Sequence, residues 1–276
     1  MLACMTKVLI QCVAALLVAA SLTSPLLAQS GPPEDVAQVE VLPGWQTASG
    51  TQMAALRLTL APGWKTYWRA PGEGGIPPAF GWAGSQNIAS TQFHWPTPEV
   101  IDQNGLRSFG YHDQVVIPIE ITPTTPGAAT RLQGEVEIGV CLDICVPMRL
   151  SFGADLPAGT HRDVAIATAL FDNPIPGAKA GLTRVTCAVE PGDGGIWLTT
   201  VMDLPPTGDP EVVVIEAGDP QVWVSEPEVS RQGGQLSARA EMVHVTGQSF
   251  ALNRAAVRIT VLGSARSVDI QGCTAG

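Results

Sequence analysis

The chain has 276 residues, 45% of them hydrophobic, and its 25 acidic and 15 basic residues give a net charge of −10. This acidity, without any basic stripe, argues against nucleic acid or an anionic membrane surface as a partner. The apolar content argues against disorder, and the length suits one or two domains.

The N-terminus has the features of a secretory signal peptide. A single basic residue, Lys7, precedes a largely apolar run over residues 8–20, and Leu26-Leu27-Ala28 is a plausible cleavage site. The run is short for a membrane span, although an uncleaved anchor is the alternative. We therefore expect residues 1–28 to be removed on export to an oxidising compartment.

Short apolar runs with a period of two follow, separated by Gly and Pro. Residues 53–60 end in alternating leucines, and residues 115–121 alternate between apolar and other positions. A further run over residues 136–140 leads directly into Cys141. This pattern predicts the strands of a β-sandwich over residues 31–157.

The organisation changes after residue 157. Residues 158–180 read as a linker with a short helix over residues 163–171, which Pro174 and Pro176 end. Strand patterns then resume and predict a second β-sandwich over residues 181–276. The fold expected overall is all-β, with two immunoglobulin-like sandwiches joined by this linker.

Four cysteines remain after the signal peptide, and an oxidising compartment favours two disulfides. Cys187 lies in the first strand of the second half and Cys273 lies just before the C-terminus. A bridge between them would close a loop of roughly 85 residues and stabilise the fold by about 4–5 kcal/mol. We interpret this pair as a structural staple.

The other pair, Cys141 and Cys145, would close a very small ring. The same chain-entropy argument gives about 2 kcal/mol before strain, and the bridge would connect no distant elements. A reversible redox couple fits this spacing better than a staple. A structural hairpin bridge and half of a metal site remain open from spacing alone.

Asp143 lies between these two cysteines. If its carboxylate is close to the sulfurs, it disfavours a thiolate and keeps the reduced pair protonated. Aromatic residues in or beside Gly- and Pro-containing loops are further candidates for shielding or tuning the site, namely Tyr67, Phe109 and Tyr111.

Several ordered motifs resemble one known family. They are Gly63-Trp64-Lys65-Thr66-Tyr67-Trp68-Arg69-Ala70-Pro71-Gly72, Gly75-Ile76-Pro77-Pro78, Trp95-Pro96-x-Pro98, Phe109-Gly110-Tyr111, Val115-Val116-Ile117-Pro118 and Cys141-x-x-x-Cys145-x-Pro147. Together they resemble the periplasmic N-terminal region of the thiol:disulfide interchange proteins DsbD and ScsB, across roughly residues 35–155. The second half is similar only in overall plan.

The resemblance implies roles for individual residues. Cys145, followed by x-Pro, would form the mixed disulfide, and Cys141 would be the resolving cysteine. Phe109 falls where the family has an aromatic cap, and Tyr67 falls where the family has a tyrosine near the site. The chain departs from DsbD in having Arg107 and Ser108, not acidic residues, before the cap, and in its shorter cysteine loop.

The function that the resemblance implies is a relay in the periplasm of a Gram-negative bacterium, which exchanges thiols and disulfides without a cofactor or a metal. Electrons would come from a separate membrane or thioredoxin-like protein and pass to periplasmic thiol proteins. Any enzymatic activity would be that of a protein-disulfide reductase. Two alternatives stay open: a non-catalytic envelope-binding sandwich with structural disulfides, and a copper-handling protein using the thiolates and Met148.

Overall fold

The computed structural model describes residues 36–103, 105–156, 159 and 162–276. The predicted signal peptide lies outside the described residues. In the described part almost all regular structure is β-strand, and the strands form four sheets. These pair into two immunoglobulin-like β-sandwiches, which confirms the predicted all-β class.

The first sandwich has ten strands: β1 (Ala37–Gln46), β2 (Gln52–Leu60), β3 (Lys65–Gly72), β4 (Ala79–Gly81), β5 (Ile88–Phe93), β6 (Glu99–Gln103), β7 (Leu106–His112), β8 (Gln114–Pro123), β9 (Thr130–Cys141) and β10 (Cys145–Leu156). One sheet has the order β1-β2-β8-β5. The other has the order β10-β9-β3-β7-β6, with β4 also paired to β9. The second sheet therefore places β9 between β10 and β3.

Alternation along the strands builds the core of this sandwich. Val115, Ile117, Ile119 and Ile121 of β8 are all buried in one hydrophobic cluster, because alternate side chains of a strand point to the same face. The alternating leucines predicted in β2 are buried in the same cluster. The periodicity in the sequence thus determined which face of each strand points inward.

The single α-helix of the described residues, α1 (Val164–Phe171), packs on the outside of the first sandwich. Asp163 caps it, since its Oδ1 accepts hydrogen bonds from the backbone nitrogens of Ala165 and Ile166 at 2.8 and 3.1 Å. Ile166 is fully buried in a small cluster with Trp45. In the described part of the chain, no helix is long and apolar enough to cross a membrane.

The second sandwich also has ten strands: β11 (Ile175–Pro176), β12 (Arg184–Gly192), β13 (Gly195–Asp203), β14 (Glu211–Glu216), β15 (Val222–Val224), β16 (Glu228–Gln232), β17 (Gln235–His244), β18 (Arg258–Gly263), β19 (Ser267–Gln271) and β20 (Thr274–Ala275). One sheet has the order β11-β19-β18-β14, and the other has the order β15-β17-β13-β12-β20, with β16 on β17. Its core forms a separate hydrophobic cluster.

The two sandwiches contact one another through β14 and the end of β3. Val212 and Val214 of β14 are buried against the hydrophobic cluster of the first sandwich. Arg69 of β3 reaches across, with its Nη2 3.0 Å from Glu216 Oε2 and 3.2 Å from Thr260 Oγ1. The contact therefore combines apolar burial with ion pairs across the boundary, of which Arg69 with Glu216 is one.

Candidate functional site

Cys141 and Cys145 form a disulfide at the end of the β9–β10 hairpin. Cys141 is the last residue of β9, Cys145 is the first of β10, and the two are directly opposite each other in the antiparallel register. Their Cα atoms are 4.2 Å apart. Since the strand ladder already holds these two positions side by side, the covalent bond adds little constraint to the fold.

The two cysteines differ strongly in their accessibility. Cys141 is only 1% exposed, whereas Cys145 lies at the surface. The loop between them also presents two apolar side chains, with Leu142 46% and Ile144 76% exposed. A partner thiolate can therefore reach Cys145 and contact apolar surface beside it, while Cys141 stays covered.

Tyr67 is the side chain of β3 that lies against both sulfurs. Its hydroxyl is 3.0 Å from Cys141 Sγ, 3.0 Å from Cys145 Sγ and 3.3 Å from the backbone oxygen of Gly74, so its single proton can be directed to any one of these acceptors. Burial raises the pKa of Tyr67, so its hydroxyl keeps its proton at neutral pH. Tyr67 can therefore donate a hydrogen bond to a sulfur that gains negative charge.

The pairing of β3 with β7 and β9 places the other two aromatic candidates, Phe109 and Tyr111, on the opposite face of the sheet from the sulfurs. Thr66 is opposite both Val140 of β9 and Tyr111 of β7, on the face that fills the core. Phe109, two residues from Tyr111, points to the same inner face and packs edge-on against Trp68 with ring centroids 6.4 Å apart. The structure thus brings Tyr67 to the disulfide but not Phe109 or Tyr111.

A glycine-rich segment at the end of β3, residues 72–76, covers the Tyr67 ring. A Cβ atom at Gly75 would lie 2.8 Å from Tyr67 Cδ1 and 2.4 Å from Pro71 Cβ, so only glycine fits this close approach. Gly139, next to Cys141 on the outer face, is similarly close to Ile76 and Tyr67. Sequence reasoning missed this cover, although the Gly74-Gly75 pair after the motif was a signal for it.

Lys65 is a second residue that the sequence analysis did not single out. It is directly opposite Cys141 in the β3–β9 register, and it is buried. Its Nζ donates a hydrogen bond to Gln103 Oε1, and Gln103 Nε2 donates to the backbone oxygen of Leu142 at 3.4 Å. The alternation of Lys65 with Tyr67 in β3 was the signal that both share a face.

The remaining candidates lie further from the bond. Asp143 is exposed at the tip of the hairpin. Met148, a possible soft ligand, is opposite Ile138 and packs against the core, on the other face from the cysteines. Within the described ranges no group of three or more His, Cys, Asp or Glu side chains has the geometry to hold a metal ion.

Cys187 and Cys273 form the second disulfide. Cys187 is fully buried in β12, and the bond joins it to a residue 86 positions later, next to β20. Strand β20 pairs in parallel with β12 beside the bond. The bridge therefore attaches the C-terminal strand to the centre of the second sandwich.

Comparisons with known proteins agree with this geometry. Residues 32–153 match the family described as "Thiol:disulfide interchange protein DsbD, N-terminal". No curated protein matches the chain. Among solved structures, the N-terminal periplasmic domain of ScsB from Proteus mirabilis is similar, with a TM-score of 0.63 and 22% identity over 87% of this chain and 92% of that chain.

The N-terminal domain of DsbD from Neisseria meningitidis, in its reduced form, is 17% identical over 48% of this chain and 94% of that chain, with a TM-score of 0.28. The ScsB likeness shows that the whole two-sandwich fold recurs. The family match covers the first sandwich together with its hairpin disulfide. Residues 32–153 are therefore similar to the N-terminal domain of the DsbD thiol:disulfide interchange family.

Proposed function

We propose that this protein relays electrons in the periplasm by opening and closing the Cys141–Cys145 disulfide. One observation carries the proposal: an exposed sulfur is bonded to a buried one at a position that the strand ladder already holds together. Such a bond contributes little rigidity, and its exposed end is accessible to thiol–disulfide exchange.

The exchange runs in two steps. A partner thiolate attacks Cys145 Sγ, the Cys141–Cys145 bond breaks, and its electron pair leaves on Cys141 as a thiolate. Tyr67, whose hydroxyl contacts both sulfurs, donates a hydrogen bond to this thiolate. A second thiol of the partner then attacks its own sulfur in the mixed disulfide, so the partner is oxidised and both cysteines are reduced.

The reduced pair passes its electrons on by the reverse exchange with an oxidised periplasmic protein. The proposed donor is a membrane electron-transfer protein or a thioredoxin-like protein, and the activity is that of a protein-disulfide reductase. The exposed side chains of Leu142 and Ile144 provide apolar surface on which such partners can dock next to Cys145. No cofactor is needed, because the sulfurs themselves carry the electrons.

The remaining assignments complete this proposal. Residues 31–157 form the redox sandwich, residues 158–180 form the linker, whose short strand β11 joins a sheet of the second sandwich, and residues 181–276 form the rest of the second sandwich with Cys187–Cys273 as its structural bridge. The signal peptide directs the chain to the periplasm. Asp143 is proposed to disfavour a free thiolate before a partner docks.

Trapping in intact cells tests the roles of the two cysteines. We expect Cys141→Ala to accumulate a mixed disulfide through Cys145, because the internal thiol that would release the partner is gone. We expect Cys145→Ala to trap no partner, since Cys141 is buried. Non-reducing electrophoresis with mass spectrometry of the adducts gives the answer, and equal trapping by both variants would contradict the assignment.

A measured reduction potential separates the relay from a purely structural bridge. Structural disulfides of secreted proteins have potentials below about −300 mV, whereas exchange proteins lie above that value. We expect the Cys141–Cys145 couple to equilibrate with a glutathione or dithiothreitol buffer above about −300 mV. A bond that stays oxidised in those buffers in the folded protein would contradict the relay.

A further inference from the structure

Lys65 lies on the outer face of the β10-β9-β3-β7-β6 sheet, directly beside the disulfide. Its position in β3 is opposite Cys141 in β9 and opposite His112 in β7. Directly opposed residues of antiparallel strands have Cβ atoms about 4.5–5.5 Å apart. The side chain of Lys65 is therefore a next neighbour of the buried sulfur.

The burial of this lysine calls for a counter-charge. Lys65 is 5% exposed, and none of the ion pairs among the described residues includes it. Its Nζ has a neutral partner, the side-chain oxygen of Gln103. A buried charge is costly without an opposite charge close by. The group next to it that becomes an anion when the disulfide opens is Cys141.

We propose that Lys65 stabilises the thiolate of Cys141 that leaves when a partner attacks Cys145. This role rests on the proposed function in one respect, since it requires the bond to be opened. The electron pair of the broken bond is left on Cys141 Sγ, and Lys65 occupies the position directly opposite Cys141 in the neighbouring strand. A leaving thiolate that is better stabilised leaves faster, so Lys65 promotes the first step of the exchange.

The other charged groups near Lys65 have a weaker effect on the Cys141 thiolate, because they are exposed or are paired with an opposite charge. Asp143 opposes a thiolate, but it is exposed at the hairpin tip, where water and salt screen its charge. His112 is paired with Glu99 at 2.8 Å. Tyr67 adds a neutral donor from β3. Because a buried charge is screened less than an exposed one, the field of Lys65 dominates over that of Asp143.

Gln103 positions the lysine. It accepts from Lys65 Nζ through Oε1, and its Nε2 donates to the backbone oxygen of Leu142 in the loop between the cysteines. The end of β6 is thereby connected to both the cation and the cysteine loop. Burial lowers the pKa of Lys65, and a thiolate at Cys141 would raise it again, so the two groups support each other's charged form.

The test is the thiol pKa of Cys141 in a Cys145→Ala background, followed through the ultraviolet absorbance of the thiolate. An opposite charge at this range lowers a pKa by about one unit or more. Lys65→Met should therefore raise the pKa of Cys141 by about one unit. Lys65→Arg, which keeps the charge, should stay close to the parent. Lys179→Met removes an exposed lysine of the linker and should change nothing.

Two results would overturn the role of Lys65. One is an unchanged pKa of Cys141 in folded Lys65→Met, and the other is an equal rise in Lys65→Met and Lys65→Arg, which would indicate a structural effect. Lys65→Gln is the second uncharged variant if Lys65→Met does not fold.

This experiment is independent of any partner. If the pKa of Cys141 responds to Lys65 but no mixed disulfide is ever trapped through Cys145, the relay fails and the electrostatic coupling stands. If partners are trapped but the pKa does not respond, the relay stands and Lys65 has no part in it.

Discussion

The two halves of the molecule share one architecture but use their disulfides in opposite ways. In the first sandwich the bond joins two residues that are already opposite each other in a hairpin, and one of its sulfurs is exposed. In the second sandwich the bond joins residues 86 positions apart, and Cys187 is fully buried. The same chemistry thus has different consequences, because loop length and accessibility differ.

This difference in loop length and accessibility shows how one protein can contain both a reversible and a permanent disulfide. A long closed loop restricts the unfolded chain strongly and makes reduction of the native protein unfavourable. A five-residue ring restricts it little, so the bond can open without loss of the fold. The bridge suited to exchange is the Cys141–Cys145 bond, because the pairing of β9 with β10 already holds these two residues together without it.

The largest expected effect is the loss of stability on removing each bridge. The chain-entropy model gives about 4–5 kcal/mol for Cys187→Ala with Cys273→Ala, and about 2 kcal/mol or less for Cys141→Ala with Cys145→Ala. Urea unfolding of both double variants measures the two losses. Similar losses would show that the hairpin bridge is a staple as well, and the contrast between the halves would disappear.

A smaller loss is expected at the contact that connects the halves. Arg69 is half-buried between Glu216 and the ring of Trp68, which its guanidinium covers at 3.9 Å from the centroid. Arg69→Ala leaves Glu216 without this partner and should cost about 2 kcal/mol in urea unfolding. Arg57→Ala removes a more exposed pair with Glu40 and should cost less than about 1 kcal/mol. Equal losses would show that the Arg69 contact between the halves stabilises the protein no more than an exposed ion pair does.

The rate of exchange should respond to one of the two tyrosines and not to the other. Tyr67→Phe removes the hydroxyl that contacts both sulfurs, and a lost hydrogen bond of about 1 kcal/mol slows reduction by a small thiol about fivefold. Tyr111→Phe is the matched control, since its hydroxyl donates to the backbone oxygen of Pro96 on the core side. Stopped-flow reduction would contradict the assignment if both variants slowed equally.

The smallest effect is an acid sensitivity of the second half. Glu211 accepts hydrogen bonds from Arg231 and Thr207. Burial raises its pKa, but these bonds together outweigh burial and hold the pKa below its ordinary value of 4.5. The stabilisation is therefore present above that value and is lost as the pH falls through the depressed pKa.

The urea concentration at the midpoint of unfolding, measured from about pH 5 downward, checks this prediction. The parent should lose stability faster than Glu211→Gln, whose side chain does not titrate. Parallel pH profiles of the two proteins would show that Glu211 contributes nothing to acid sensitivity.

The sequence alone was sufficient for the features that depend on local pattern. Alternation in β2 and β8 predicted their buried faces, because side chains in strands repeat every two residues. Asp163 before an apolar run, with Pro174 after it, predicted the short helix. The spacing of the four cysteines predicted one small ring and one long loop.

Only the tertiary structure decided which side chains surround the sulfurs. Phe109 and Tyr67 were equal candidates in the sequence, but the pairing of β3 with β7 and β9 places Tyr67 on the face of the sulfurs and Phe109 on the core face. Lys65 became visible only through its position opposite Cys141. The physical reason is that alternation along one strand defines two faces, whereas the register between strands that are distant in sequence determines which residues meet on each face.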